Sequence, residues 1–243
     1  MKKLLILFVL AGLPAAALAS GGEGVKLDAV NIDLSDKASL QRGARIFVNY
    51  CLSCHSAGYM RYNRMGHDLG ISEELVKENL LFAADKVGEL MKAVMPKADA
   101  KAWFGVAPPD LSLVTRARGP NWFYTYMRSF YRDDKSPSGW NNTVFPHVAM
   151  PHVLYEWQGH RRAVFKKDAH GVDLFESFAV EYPGSMSAEK YNDAMRDLTN
   201  FMVYLAEPAK LVRYQIGIYV LIFLAFFSVF AYLLKKEYWK DIH

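Results

Sequence analysis

The chain has 243 residues, 52% of them hydrophobic, with 29 basic against 25 acidic side chains and two cysteines. Residues 21–209 carry 22 basic and 23 acidic side chains, a net charge of −1, so the basic surplus lies largely at the two ends and nucleic-acid binding has no support. Two cysteines three positions apart exclude a useful disulfide staple, and the stretch of about 190 residues is ample for one hydrophobic core.

Residues 1–19 begin with Lys2 and Lys3, continue through an apolar stretch from Leu4 to Leu13, and close on Ala17-Leu18-Ala19. This pattern predicts a secretory signal peptide cut before Ser20. Its apolar core is too short for a comfortable membrane span, which argues against a retained N-terminal anchor. Ser35 and Asp36 then offer N-cap oxygens, and Leu40, Gly43, Ala44, Phe47, Val48 and Cys51 recur at helical intervals. A helix is therefore expected to lead into the next segment.

That segment, Cys51-Leu52-Ser53-Cys54-His55, holds both cysteines of the chain. Two thiols separated by two residues and followed by an imidazole have the spacing that attaches a c-type haem. The thiols would add to the porphyrin vinyl groups as thioethers, with His55 as the proximal iron ligand. A thioredoxin-like pair would follow a strand in a βαβ pattern, and a structural zinc would need about four ligands. Neither pattern is present. Export agrees with the haem reading, because c-type haems are attached outside the cytoplasm.

Ser72 ahead of Glu73 and Glu74 predicts a third helix running to about Phe82. The stretch from Pro96 to Pro151 holds Pro108-Pro109, Gly119-Pro120, Pro137, Gly139 and Pro146, and cannot be one long helix. A haem that carries electrons needs its sixth position filled, by methionine or histidine. Met195 and Met202 fall on a helical stripe and read as core, and Met91 and Met95 read as a surface helix or its end. Met150 stands in Phe145-Pro146-His147-Val148-Ala149-Met150-Pro151-His152, where Pro151 pushes its predecessor into an extended, stiffened loop. Met150 is the leading candidate, with His147 and His152 as alternatives. His67, His160 and His170 read as solvent-facing.

Met195, Leu198, Met202 and Leu205 mark a helix from about Ala188 to Ala206, stopped by Pro208. Gly43 against Phe201 or Tyr204 is the expected close contact between this helix and the first. N- and C-terminal helices crossing beside a haem resemble the class I c-type cytochromes. Tyr214 to Leu234 is an uncharged apolar run whose twenty-one residues reach ~31 Å at ~1.5 Å rise, the thickness of a bilayer core. Tyrosines and Trp239 flank it, and Lys235, Lys236 and Lys240 follow, which predicts a cytoplasmic tail. With no ionisable group inside it, the span reads as an anchor.

Arg61-Tyr62-Asn63-Arg64-Met65, Pro108-Pro109-Asp110-Leu111-Ser112 followed by Arg116-Ala117-Arg118, Met150-Pro151-His152-Val153-Leu154 with Trp157-Gln158-Gly159, and Glu207-Pro208 before a single span resemble the cytochrome c1 family over essentially the whole mature chain. The resemblance implies the haem subunit of the quinol:cytochrome c oxidoreductase, the cytochrome bc1 complex. It puts the methionine ligand on Met150, the loop packed on the haem on Pro108 to Ser112 with Pro109 among them, and the propionate partner on Arg118. A guanidinium suits that last role, because it grips a carboxylate through two charge-assisted hydrogen bonds. Tyr62, Asn63 and Arg64 match the family pattern without a role of their own at this level.

The expected architecture is mainly α: a class I c-type cytochrome domain with long loop insertions, plus one C-terminal transmembrane helix. Its divisions are a signal peptide at 1–19, a periplasmic haem domain at 20–209, an anchor at 210–234 and a cytoplasmic tail at 235–243, in a bacterial inner membrane. One covalent haem c would take single electrons from the Rieske iron–sulfur protein, beside cytochrome b, and pass them to a cytochrome c. Animal members steer a basic acceptor with acidic patches; this nearly neutral domain predicts weak steering and leaves the acceptor open. Two rival classes are a membrane-anchored haem sensor, for which nine residues after Leu234 are too few for an output domain, and a free-standing anchored shuttle to a terminal oxidase.

Overall fold

Helix α1, Lys37–Tyr50, starts where the Asp36 carboxylate accepts from the Ser39 backbone N–H at 2.9 Å, and it buries the face formed by Leu40, Gly43, Ala44 and Phe47. The computed structural model to which it belongs describes residues 25–168 and 170–241; the expected signal peptide and its cleavage site lie outside the described residues. Strand β1, Ala57–Arg61, follows the cysteine segment and passes directly into α2, Tyr62–Leu69.

Ser72 caps α3, Glu73–Asn79, by accepting from Leu75 N–H at 3.3 Å. The helix does not reach Phe82 as the sequence led us to expect. Leu80 turns inward to 5% exposure, and the chain bends back so that β2, Leu90–Met91, pairs antiparallel with β1. Met91 is fully buried in that strand rather than on a surface helix. The proline-rich region breaks into short elements: α4 (Lys97–Phe104), α5 (Val114–Arg118), α6 (Pro120–Met127), β3 (Phe130–Arg132), β4 (Trp140–Asn142) and α7 (Tyr155–Gln158). Pro120 sits in the first turn of α6, where its missing N–H costs nothing. β3 and β4 form an antiparallel pair with Tyr131 opposite Asn141.

Next comes a long antiparallel hairpin that the sequence analysis did not anticipate, β5 (Gly159–Lys167) and β6 (Asp173–Pro183). Asp168 tightens its turn by accepting from the N–H groups of His170 and Val172 at 2.7 and 2.9 Å. At its base Gly159 has φ +87°, and a Cβ there would lie 2.5 Å from Gly184 N, so only glycine closes it.

Helix α8, Ala188–Ala206, crosses α1 along the expected stripe, with Met195, Leu198 and Met202 wholly buried. A Cβ on Gly43 would stand 2.6 Å from Phe201 Cβ and closer still to the Asp197 carbonyl oxygen, which places the expected contact on Phe201. Asp197 also holds the crossing from the side. Its carboxylate takes Arg42 Nε at 2.5 Å and Ser39 Oγ at 2.6 Å. The last helix, α9, is Lys210–Tyr238; its 29 residues outrun the expected anchor and span about 44 Å at ~1.5 Å per residue. It is the one helix among the described residues long and apolar enough to cross a membrane, and beyond Leu211, which packs on the core, its apolar stretch is not buried by the other described residues.

Candidate functional site

Helix α1 ends on Cys51, and the chain then coils once: Cys54 N and His55 N both donate to the Cys51 carbonyl, at 3.1 and 2.8 Å. One turn therefore carries two free thiols, Cys51 buried and Cys54 half-buried, together with an imidazole. Burial pushes the Cys51 thiol up to about 12, so it stays a neutral thiol at ordinary pH. The imidazole is fixed by its hydrogen bonding. His55 Nδ1 lies 2.8 Å from the Pro109 carbonyl oxygen, and a carbonyl only accepts, so Nδ1 holds the proton and Nε2 keeps its lone pair. Burial holds the His55 pKa below its ordinary value, outweighing the opposite pull of the Pro109 carbonyl and Asp110, and keeps the ring neutral.

The loop supplying that carbonyl is laced to the segment after the motif. Asp110 accepts from Gly58 N–H at 2.8 Å through one oxygen and from Ser112 N–H at 2.7 Å through the other. Leu111 N donates to the Ser56 carbonyl at 2.8 Å, and Ser112 Oγ accepts from Tyr59 N at 3.2 Å. Pro108 to Ser112 thus behaves as a brace for His55, and Pro109 acts through its backbone oxygen.

A second group of residues lies around Met150, which is half-buried against the same core that contains Cys51. Its sulfur accepts from the Tyr126 hydroxyl at 3.4 Å. Burial raises the Tyr126 phenol far above its ordinary pKa, so it remains a donor. The Tyr126 ring stacks on Trp122 at 5.0 Å and meets Phe130 edge-on at 5.1 Å. Arg118 lies over the other end of this array, its guanidinium carbon 5.3 Å from the Trp122 centroid. The structure so links Arg118 to Met150 through two aromatic rings, and links Cys51, Cys54 and His55 to Pro109.

Of the alternative ligands, His147 is exposed with φ 60°, its N–H held by Asn141 at 2.9 Å. His152 is 1% exposed, stacked face to face on Phe130 at 4.9 Å with Trp140 edge-on, and burial pushes its pKa down to about 3. It belongs to the aromatic packing under the loop. His67 and His170 are exposed as expected, whereas His160 is half-buried against Trp140, Tyr155 and Tyr182.

Sequence reasoning missed the pair that shapes the methionine loop. Asn142, wholly buried, donates to the Tyr126 carbonyl at 2.8 Å and accepts from Val144 and Phe145 N–H. Asn141 accepts from its neighbour's N–H and from His147 N–H. The only signal was the bare Asn141-Asn142 dipeptide. The Arg61-Tyr62-Asn63-Arg64-Met65 segment turns out to be scaffold: Tyr62 and Met65 are core, and Arg64 steadies Asp68, which accepts from Tyr204 of α8 at 2.9 Å.

These side chains fit a covalently held haem. They offer two thiols in one turn, an imidazole whose Nε2 lone pair is kept available, and a thioether on a braced loop. A bare ion finds no such set, because among the described residues no three His, Cys, Asp or Glu groups could hold one.

Comparison with known proteins agrees with this chemistry. The family model described as Cytochrome C1 family matches residues 30–242. Cytochrome c1 of Allochromatium vinosum is 51% identical over 245 residues, covering the whole of both chains. A protein of Nitrosomonas europaea named ammonia monooxygenase gamma subunit is 49% identical over 243 residues, covering all of this chain and 99% of its own. Cytochrome c1 of Rhodospirillum rubrum is 26% identical, over 85% of this chain and 83% of its own.

Proposed function

The chain belongs to the cytochrome c1 family, and from that premise we propose that it is the monohaem subunit through which a quinol:cytochrome c oxidoreductase passes electrons to a cytochrome c. The observation that carries the reading is the turn in which Cys51, Cys54 and His55 are held together while the Pro109 carbonyl fixes the imidazole tautomer. A haem c, when bound there, supplies a one-electron ferric/ferrous couple. In this reading Cys51 and Cys54 would tether the group, His55 and Met150 would donate to its iron, and Arg118 would pair with a propionate. Crossing of α1 and α8 at Gly43 supports a class I c-type cytochrome domain. Quinol oxidation belongs to partners; this chain positions the carrier and sets its potential.

In the same reading residues 1–19 are a removed signal peptide, 20–209 lie in the periplasm, 210–234 cross the inner membrane and 235–243 are cytoplasmic. The lysines after the apolar run support that orientation. Cytochrome b and the Rieske protein are the partners on the donor side. Purification from native membranes in mild detergent tests the assignment: the chain should migrate with a b-type cytochrome and a Rieske protein. Isolation with a monooxygenase instead, as the name of the Nitrosomonas relative suggests for that protein, or as an active chain without partners, would overturn it. For the iron ligand, Met150→His should lower the reduction potential and abolish the sulfur-to-iron absorption band; retention of both excludes Met150.

A further inference from the structure

A buried tyrosine ring can be replaced by phenylalanine without loss of packing, so a buried hydroxyl calls for a partner. Tyr126 is 9% exposed, and its ring is held on one side by the Trp122 stack and on the other by the edge of Phe130. Among the described residues its hydroxyl has one partner, the Met150 sulfur at 3.4 Å. A thioether has no proton to give, so the hydroxyl donates. The backbone repeats the link, because Asn142 at the root of the methionine loop donates to the Tyr126 carbonyl at 2.8 Å. Loop and tyrosine are thus joined twice, once at the main chain and once at the sulfur.

We propose that Tyr126 is a positioning residue for the Met150 thioether, its hydroxyl engaging one sulfur lone pair, holding the other toward iron and raising the reduction potential. This rests on Met150 being the iron's sixth donor. A thioether carries two lone pairs on one sulfur. With one engaged by the phenol and the rotamer fixed, a single direction remains for the metal. The hydrogen bond also draws electron density from sulfur, which weakens its donation to the electron-poor ferric iron more than to the ferrous iron. The ferrous form therefore gains.

The test uses the full-length haem-loaded chain in detergent. Tyr126→Phe keeps the ring and its stack, so the protein should fold and retain the sulfur-to-iron band. Its ferrous-to-ferric ratio at fixed ambient potential should fall about fourfold, a drop of about 35 mV at 59 mV per tenfold for one electron. Loss of the band at an unchanged unfolding midpoint also supports the proposal, since the sulfur has then left the iron. A retained band with a ratio within twofold of wild type overturns it. A second readout needs no variant: the iron–sulfur stretch of the wild type should shift in D2O, and the absence of a shift overturns the proposal. If Met150→His leaves band and potential unchanged, the failure lies with the ligand assignment and is recognised separately.

Discussion

Replacing Gly43 by alanine adds one methyl group at the closest point between α1 and α8. The new Cβ would lie 2.6 Å from Phe201 Cβ and nearer still to the Asp197 carbonyl oxygen, against the ~3.5–4.0 Å at which carbon atoms rest in contact. Neither neighbour can swing aside, because one is a Cβ and the other is main chain inside a helix. The helices must separate by about 1 Å, and overpacking of this kind costs about 3 kcal/mol. Alanine recovers about 1 kcal/mol of helix propensity over glycine, so the net loss is about 2 kcal/mol. At ~2–4 °C per kcal/mol for a domain of this size, the midpoint should fall by about 4–8 °C. Thermal scans of the haem-loaded protein, followed by far-ultraviolet circular dichroism at matched scan rates, measure it. A midpoint equal to or above wild type would refute the close contact, since propensity alone would then prevail.

Asn142→Ala removes three hydrogen bonds of a buried side chain that shape the methionine loop, and should cost about 3 kcal/mol with weakening of the sulfur-to-iron band; an unchanged midpoint would show the loop is held otherwise. His152→Phe replaces a buried ring whose two nitrogens have no hydrogen-bond partner among the described residues, so stability at pH 7 should hold or rise by about 1 kcal/mol. A fall of that size in urea titration would count against the stacked arrangement on Phe130. Asp110→Ala cuts the two backbone hydrogen bonds bracing the Pro109 carbonyl, and should broaden the resonances of the His55 ring in the ferrous protein while leaving α1 intact. Sharp, unmoved resonances would indicate that the brace is redundant.

The long-period features were legible because each rests on one physical rule. Helix α8 was readable to its ends, since Pro208 stops it and the Met195, Leu198 and Met202 stripe has the period of a buried face. The α1–α8 contact followed from one glycine in an otherwise apolar stripe. Residues that act across the chain left no such trace. Asp197 reads as an ordinary polar position in α8 until the fold brings Arg42 and Ser39 to it, and Asn142 joins α6 to the methionine loop through atoms that no local pattern records. The β5–β6 hairpin escaped for another reason. Both its faces mix aromatic with charged side chains, so the alternation that marks a half-buried strand is blurred, although the turn that closes it is well formed. At the cysteine turn the motif was plain from spacing, while the carbonyl that sets the His55 tautomer comes from a loop some fifty positions later.

Only Glu207, Pro208 and Ala209 separate α8 from the membrane helix, and they are not slack: Lys210 N donates to the Glu207 carbonyl at 3.0 Å and Arg213 pairs with the Glu207 side chain. So short and bonded a joint gives the domain that precedes it no tether on which to swing. Under the proposed function, a carrier mounted this way cannot ferry charge by travelling. In that reading, whatever delivers electrons to it, and whatever collects them, must do the moving, and the height of the docking point above the lipid would be set by where one helix hands over to the next.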